Sequence, residues 1–227
     1  MKKILLTVFA ALLLLSATAC SPSKGQVGSV ITFGNYEQDN NTTDGKEEIE
    51  WIVLDRQDDN LLLISKYALD YMPYNTDYEE VNWESCTVRA WLNDTFLSSA
   101  FSDDEQAMIL TTTVVAEEDP DPAIDIGNDT QDKVFLLNTS EADKYFSSAD
   151  DRVCTATAYA IAQAQIPSFP GDDGKTNCWW WLRSPGFDNY GVAYIYSDGG
   201  INYNGGGVND CDCALRPALW VHLDENR

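Results

Sequence analysis

Apolar and polar residues alternate along VGSVITFGNYEQ, which predicts a half-buried first strand. EIEWIVLDR and NLLLISKYAL are two more strand-like runs separated by Gln57-Asp58-Asp59, the spacing of a β-hairpin. The Asn-rich acidic insert EQDNNTTDGKEE before the hairpin reads as an exposed loop. The period then changes. Val88, Trp91, Leu92 and Phe96 recur at helical spacing, with Ser85 as the expected N-cap. Ser102 and Glu105 have capping-box spacing and predict a second short helix. TTTVVA is β-prone, and EEDPDPAIDIGNDTQD is a long polar loop. KVFLLN is a short buried strand, SEADKYF a helical turn capped by Ser140, and TATAYAIAQAQ a helix ending before Pro167. CWWWLRS reads as a strand, AYIYSDGGINYN as a hairpin turning at Asp198-Gly199-Gly200, and CALRPALWVHL as one final strand. Helices and strands do not alternate, so the class expected is α+β, with two short helices and a mainly antiparallel sheet. A late strand is expected to pair with the first and bring the ends of the domain together.

The N-terminus sets the compartment. Lys2 and Lys3 precede an apolar run from Ile4 to Leu15 and then small residues, the layout of a secretory signal peptide. The run falls short of the ~20 apolar residues of a membrane-spanning helix. Ala17-Thr18-Ala19-Cys20 resembles a bacterial lipobox, which implies cleavage before Cys20 and lipidation of its thiol; plain secretion is the alternative. The expected organisation is a signal peptide over 1–19, a lipidated tether over 20–28 and one domain over 29–227. The formal charge of -23, reached with 37 acidic against 14 basic residues, repels phosphate backbones and argues against nucleic acid as a partner. Beyond Cys20 stand Cys86, Cys154, Cys178, Cys211 and Cys213, an odd set in which Cys154 with Cys178 is one candidate disulfide. The single histidine, His222, has no ligand set around it, so neither a zinc site nor a Ser-His-Asp triad is expected.

The pair CWWWLRSPG and ALRPALWV, with ITFGNYEQ, EWIVLD, LLLISKYALD, CTVRAWLN, EQAMIL and DKVFLLN in order, resembles a bacterial domain family of unknown function marked by a WWLRSPG strand and a terminal RPALW strand. That family in turn resembles the C-type-lectin-fold variable proteins of diversity-generating retroelements and, more distantly, the formylglycine-generating enzyme fold. The resemblance implies a C-type-lectin-like mixed domain whose last third presents a ligand-binding loop.

Between Ser184 and Leu215 the chain contains no Lys, Arg, Glu, Gln, Met or Trp. Asp188, Asn189, Tyr190, Tyr194, Tyr196, Asp198, Asn202, Tyr203, Asn204, Asn209 and Asp210 are the candidate ligand contacts. Tyr gives large contact area with few rotors, and Asn and Gly give adaptable polar contacts, as in antibody paratopes. Codons ending in a pyrimidine would leave the same palette, so retroelement diversification is one origin. A plain turn-rich loop is another, because turns favour the same Gly, Asn, Asp and Ser. The flanking tryptophans read as core, and Arg183 and Arg216 as partners of buried carboxylates or carbonyls. Asp119, Asp121, Asp125 and Asp129 do not fit calcium-loop spacing and read as a solvated loop. Cys211 and Cys213 keep a thiol- or metal-dependent enzyme as an alternative, and a structural envelope lipoprotein is a third reading. The expectation is an exported, lipid-anchored, non-enzymatic protein without cofactor, whose loop binds an extracellular protein or glycan.

Overall fold

The computed structural model describes residues 25–116, 121–164 and 177–223. The first alternating run forms β1 (Val30–Tyr36), which buries Ile31 and Phe33, and the hairpin forms as β2 (Glu47–Gln57) and β3 (Asn60–Ser65). β4 (Asp70–Tyr71) follows. The helical segment runs as α1 (Thr87–Trp91), a π-helical turn (Leu92–Phe96) and α2 (Leu97–Ala100), with Val88, Leu92 and Phe96 fully buried. Its N-cap residue is Cys86 rather than Ser85, because the Ser85 hydroxyl bonds back to Asn82. α3 (Asp103–Met108) starts with the expected Ser102–Glu105 capping box.

The middle of the chain supplies β5 (Thr112–Val114), β6 (Thr130–Asp132), β7 (Val134–Phe135), α4 (Thr139–Tyr145), α5 (Ala149–Arg152) and α6 (Ala158–Gln163). The cap of α4 is Asn138 and not Ser140: its side chain accepts from the Glu141 N–H, and the Glu141 carboxylate accepts from the Asn138 N–H. The described residues thus hold more short helices than the two expected. Caps, rather than long apolar faces, define several of them.

The last third forms β8 (Trp179–Pro185), β9 (Gly191–Ile195), β10 (Ile201–Gly207), β11 (Cys213–Leu215) and β12 (Ala218–His222). The C-terminal apolar run is therefore two strands. Arg216-Pro217 divides it, and the halves enter different sheets, ordered β1-β2-β3-β12-β7 and β10-β9-β8-β11-β4. Pairing is antiparallel except between β8 and β11, so the α+β class holds. The late strand β12 pairs with β3 and β7, while β1 pairs with β2, which corrects the expected first-to-last pairing. β3 lies between β2 and β12 and reads as an unbroken apolar run because both of its faces are covered.

The two sheets exchange chain at one corner. The β3–β4 connection and the β11–β12 connection run side by side there: the Ser65 N–H donates to Pro217 O, and the Leu69 N–H to Leu215 O, both at 2.9 Å. The Arg216 side chain is buried in this corner. Its Nε donates to Ser65 O at 2.9 Å and its Nη1 to Arg152 O at 3.4 Å, and its guanidinium lies over the Trp180 and Phe146 rings at 5.0 and 5.3 Å. A second tie crosses between the sheets where Tyr36 Oη of β1 donates to the buried Asp70 carboxylate of β4 at 2.7 Å. Burial pushes the Asp70 carboxyl up, although the Tyr36 hydroxyl and the Tyr71 N–H favour its charged form.

Candidate functional site

The loop-bearing sheet is built on β8. Trp179 and Trp181 both contact Tyr194, whereas Trp180 faces Phe146 and Arg216 from the opposite side. The alternation of a strand thus divides the three tryptophans between the two faces. Beyond Trp181 the ladder is interrupted. β8 advances from Trp181 to Pro185 while β9 advances only from Tyr194 to Val192. β10 does the same on the other side of β9, from Asn202 to Gly206 against Tyr194 to Val192. Bulges on both neighbours of β9 fall at the same level, and a bulge re-aims side chains.

On β8 the bulge releases the backbone to other partners. The Arg183 N–H donates to Leu137 O at 2.9 Å. The Arg183 side chain donates to Leu136 O at 2.7 Å and grips the Glu141 carboxylate through both terminal nitrogens. Arg183 is therefore a partner of a carboxylate and a carbonyl, as its flanking position implied. On β10 the bulge comprises Tyr203, Asn204 and Gly205, and Gly205 has φ +84°. The Asn202 side chain secures it by accepting from the N–H groups of Asn204 and Gly205 at 3.0 and 3.2 Å. The Phe187 N–H donates to Asn204 O at 2.9 Å, which brings the 186–190 loop onto the bulge. Phe187 is 82% exposed and Tyr203 57% exposed. The Tyr203 hydroxyl is oriented by the Asp143 carboxylate at 3.0 Å.

Several candidate contacts instead hold the loop in shape. Asn189 is buried: its Nδ2 donates to Asp125 O at 2.7 Å, its Oδ1 accepts from the Asp125 N–H at 2.8 Å, and its own carbonyl accepts from the Val81 N–H at 3.0 Å. Asn189 thus fastens three loops, through its side chain to Asp125 and through its backbone to Val81. Tyr194 is buried too, stacked on Trp179 at 5.2 Å, and burial pushes its phenol well above the ordinary range. Tyr196 is half-buried, and its hydroxyl accepts from Asn202 Nδ2 at 2.8 Å. Asp188 and Asp198 accept from the N–H groups of Tyr190 and Gly200 two residues on, the turn chemistry of Asx residues, and Asp210 accepts from the Gly207 N–H three residues back. Asn204 and Asn209 are exposed. Tyr190 is half-buried and packs on Tyr78 at 5.0 Å, and Tyr78 is itself 65% exposed.

Phe187 and Tyr78 did not stand out in the sequence. Their signal is a lone large aromatic among loop formers, Gly186-Phe187-Asp188 and Asp77-Tyr78-Glu79, where no apolar neighbour shares a buried face. Phe187, Tyr203 and Tyr78 are thus exposed aromatics, Tyr190 packs on Tyr78, and the side chains of Asp188, Asp77, Glu79 and Glu80 are exposed as well. A recess lined by Trp83, Asn128, Asn138, Arg183 and Ser184 holds about 20 Å³, the space of a single water.

The other chemistries have weaker geometry. Cys211 is half-exposed and Cys213 is buried, and burial together with the Asp210 and Asp212 charges pushes both thiols up, away from a reactive thiolate. The Asp121, Asp125 and Asp129 carboxylates each accept from a loop N–H group, those of Ala123, Gly127 and Ala116, and Asp119 lies outside the described residues. The carboxylates of Glu37, Asp39 and Glu47 come within 4.8 Å of one another, and they accept from the N–H groups of Gln38, Asp39 and Asn41. Burial first, and then the Glu47 and Asp39 charges, raise the Glu37 carboxyl. His222 stands at the strand edge, with Nδ1 2.9 Å from Asn60 Oδ1. Cys20 and the leader lie outside the described residues; among those residues no helix is long and apolar enough to cross a membrane.

Neither the curated proteins nor the solved structures hold a match to this chain. A family model does match, over residues 58–223, and it takes in β3 and its turn, the corner built around Arg216, the double bulge and the whole loop-bearing sheet. On that coverage the chain belongs to the family described as Domain of unknown function (DUF6273).

Proposed function

We propose that this protein is an exported binding module that presents the Phe187–Tyr203 surface to an extracellular protein or glycan. The observation that carries the reading is the placement of one exposed aromatic, Tyr203, on the pinned β10 bulge and of a second, Phe187, in the loop fastened to that bulge. Large apolar rings held in fixed loops lose little entropy on binding and make the usual anchors of an interface. Asn189, Asn202 and Asp198 support the reading from behind by fixing the loops. The contacts offered to a ligand are then Phe187, Tyr203, Tyr78, Tyr190, Asn204, Asn209 and the carboxylates of Asp188 and Asp210. The shallow recess favours an extended ligand laid across the surface over a small molecule engulfed by it. The likeness to C-type-lectin-fold variable proteins agrees with a loop surface of this kind, and retroelement diversification remains one origin for its palette.

The soluble domain, applied to arrayed glycans and to immobilised cell-surface proteins, is expected to retain one class. The double substitution Phe187→Ala and Tyr203→Ala is expected to weaken that binding at least ~30-fold, the effect of losing about 2 kcal/mol from an interface anchor, with the melting temperature unchanged. Equal binding by the double variant would overturn the assignment of the Phe187–Tyr203 surface, and no retention by either protein would favour a structural envelope lipoprotein. The enzyme alternative would need an activated thiol, and the acidic neighbours of Cys211 and Cys213 work against one.

The export and anchoring reading rests on the leader and on Ala17-Thr18-Ala19-Cys20. Cells fed an alkyne-tagged fatty acid should label the wild-type protein, and Cys20→Ser should abolish the label and release the protein from the membrane fraction. A label that survives Cys20→Ser would overturn lipidation at that residue.

A further inference from the structure

Five cysteines are described as free thiols, and the fold brings two of them face to face. Thr155 and Asn177 form an antiparallel bridge, so Cys154 stands directly across from Cys178. The Cys178 N–H donates to Cys154 O at 2.9 Å, and Cys178 Sγ lies 3.4 Å from the same oxygen. Opposed residues in an antiparallel pair have Cβ atoms ~4.5–5.5 Å apart, and a disulfide needs ~3.5–4.5 Å, so closure asks for a shift of about 1 Å. The remaining thiols are placed elsewhere. Cys213 pairs with Trp179 in parallel register and so shares the face opposite to Cys178. Cys211 is on the surface loop, and Cys86 lies against Trp83 O under the helical segment.

Arg216 adds the electrostatics. Among the described residues its guanidinium meets two carbonyls and two aromatic rings and no carboxylate, and its charge acts on both thiols. Burial disfavours a thiolate at either position, and the Arg216 guanidinium favours one, so its charge eases loss of a proton from the pair.

We propose that Cys154 and Cys178 are a dithiol pair that closes to a disulfide and straps β8 to the segment leading into α6. One thiol of the pair gives up its proton, and its thiolate attacks one sulfur of an external disulfide, such as oxidised glutathione, expelling one thiolate. The second thiol then loses its proton and attacks the protein sulfur of that mixed disulfide, expelling the second thiolate. Two protein thiols are oxidised, and one external disulfide is reduced to two thiols. Both side chains are buried in the finished fold, so the exchange belongs to folding, and the closed bond is shielded from reductants afterwards.

The test refolds the reduced full-length protein in a mixture of oxidised and reduced glutathione, followed by alkylation in denaturant and tryptic mapping. The expected product has lost two hydrogen atoms and links the peptide 153–175 to the peptide 176–183. Reduction should lower its melting temperature by roughly 10 °C, the size expected for a loop of this length. Cys154→Ala should abolish that shift, and Cys211→Ala should retain it. Alkylation of both Cys154 and Cys178 after refolding, or a link from either to another cysteine, overturns the proposal; the wild-type peptide map decides this even where Cys154→Ala fails to fold. Failure of the disulfide proposal would leave the binding reading untouched, because that reading rests on Phe187 and Tyr203.

Discussion

Arg216→Ala is expected to lower the melting temperature by roughly 10 °C, the consequence of losing about 3 kcal/mol in a domain of this size. Three contributions add. The Ser65 carbonyl loses its guanidinium donor inside the fold, at ~1–3 kcal/mol for such an acceptor, while the Arg152 carbonyl loses one donor and keeps Trp180 Nε1 at 3.1 Å. The stacking of the cation on Trp180 and Phe146 disappears. A large side chain is also deleted from a place where two chain crossings meet, and rigid backbone on both sides limits collapse into the cavity. Relief from burying a charge offsets part of this, which keeps the estimate below the simple sum. Arg216→Met separates the causes, since it restores volume but not donors. It is expected to recover less than half of the loss in a thermal melt. Full recovery by Met would make Arg216 a space-filler, and an unchanged melting temperature for Arg216→Ala would refute its role in the corner.

The second large effect is expected from Gly199→Ala. Gly199 has φ +82°, a conformation that disfavours any Cβ, and the added atom would stand 1.8 Å from the Ala149 carbonyl oxygen. That neighbour is backbone and cannot rotate away. The β9–β10 turn must lift from α5, which also breaks the bond from Arg152 Nε to Gly199 O at 2.8 Å. A loss of about 3 kcal/mol follows from strain combined with the broken contact. Gly45→Ala is the control. It also has positive φ, at +111°, but nothing lies within 4 Å of its added Cβ. It should cost only about 1 kcal/mol. Urea midpoints of the two variants give the comparison, and a Gly199→Ala no worse than Gly45→Ala would show that the turn does not depend on its seat against α5. Proteolysis within 196–201 should also quicken in Gly199→Ala alone.

Both predictions concern places where local sequence gave little warning. ALRPALWV has the look of one buried strand, and its apolar residues are all consistent with that. The break comes from Pro217, which lacks an N–H, and from the competition of two sheets for the same segment: β8 and β4 take Cys213–Leu215, while β3 and β7 take Ala218–His222. The pairings with β4 and β3 join residues more than a hundred positions apart, and no window of sequence contains them. The capping errors have a smaller cause. Ser85 and Ser140 are good cap residues by type, but the hydroxyl of Ser85 had a nearer partner in Asn82, and Asn138 already completed a box with Glu141.

The candidate surface divides in the same way. Tyr and Asn are candidate ligand contacts by residue type. Type alone cannot separate a ring turned to solvent, as in Tyr203, from one stacked between Trp179 and Trp181, as in Tyr194. Nor can it tell that the Asn189 amide is spent on Asp125, or that Phe187 is lifted into solvent by a bond to Asn204.

By itself the sequence determined what depends on short spacing and on sums. The first strand follows from alternation, the hairpin after it from the spacing of two strand-like runs, the buried line of Val88, Leu92 and Phe96 from helical period, the start of α3 from Ser102 and Glu105, and the strongly acidic character from composition. The tertiary structure alone decided the rest: the order of the two sheets, the Arg216 corner, the opposition of Cys154 to Cys178 and the matched bulges that present Phe187 and Tyr203. The reason is physical. Periodicity records which face of an element is buried, but the element's partner is chosen by the packing of distant chain segments against one another, and only the folded chain contains that choice.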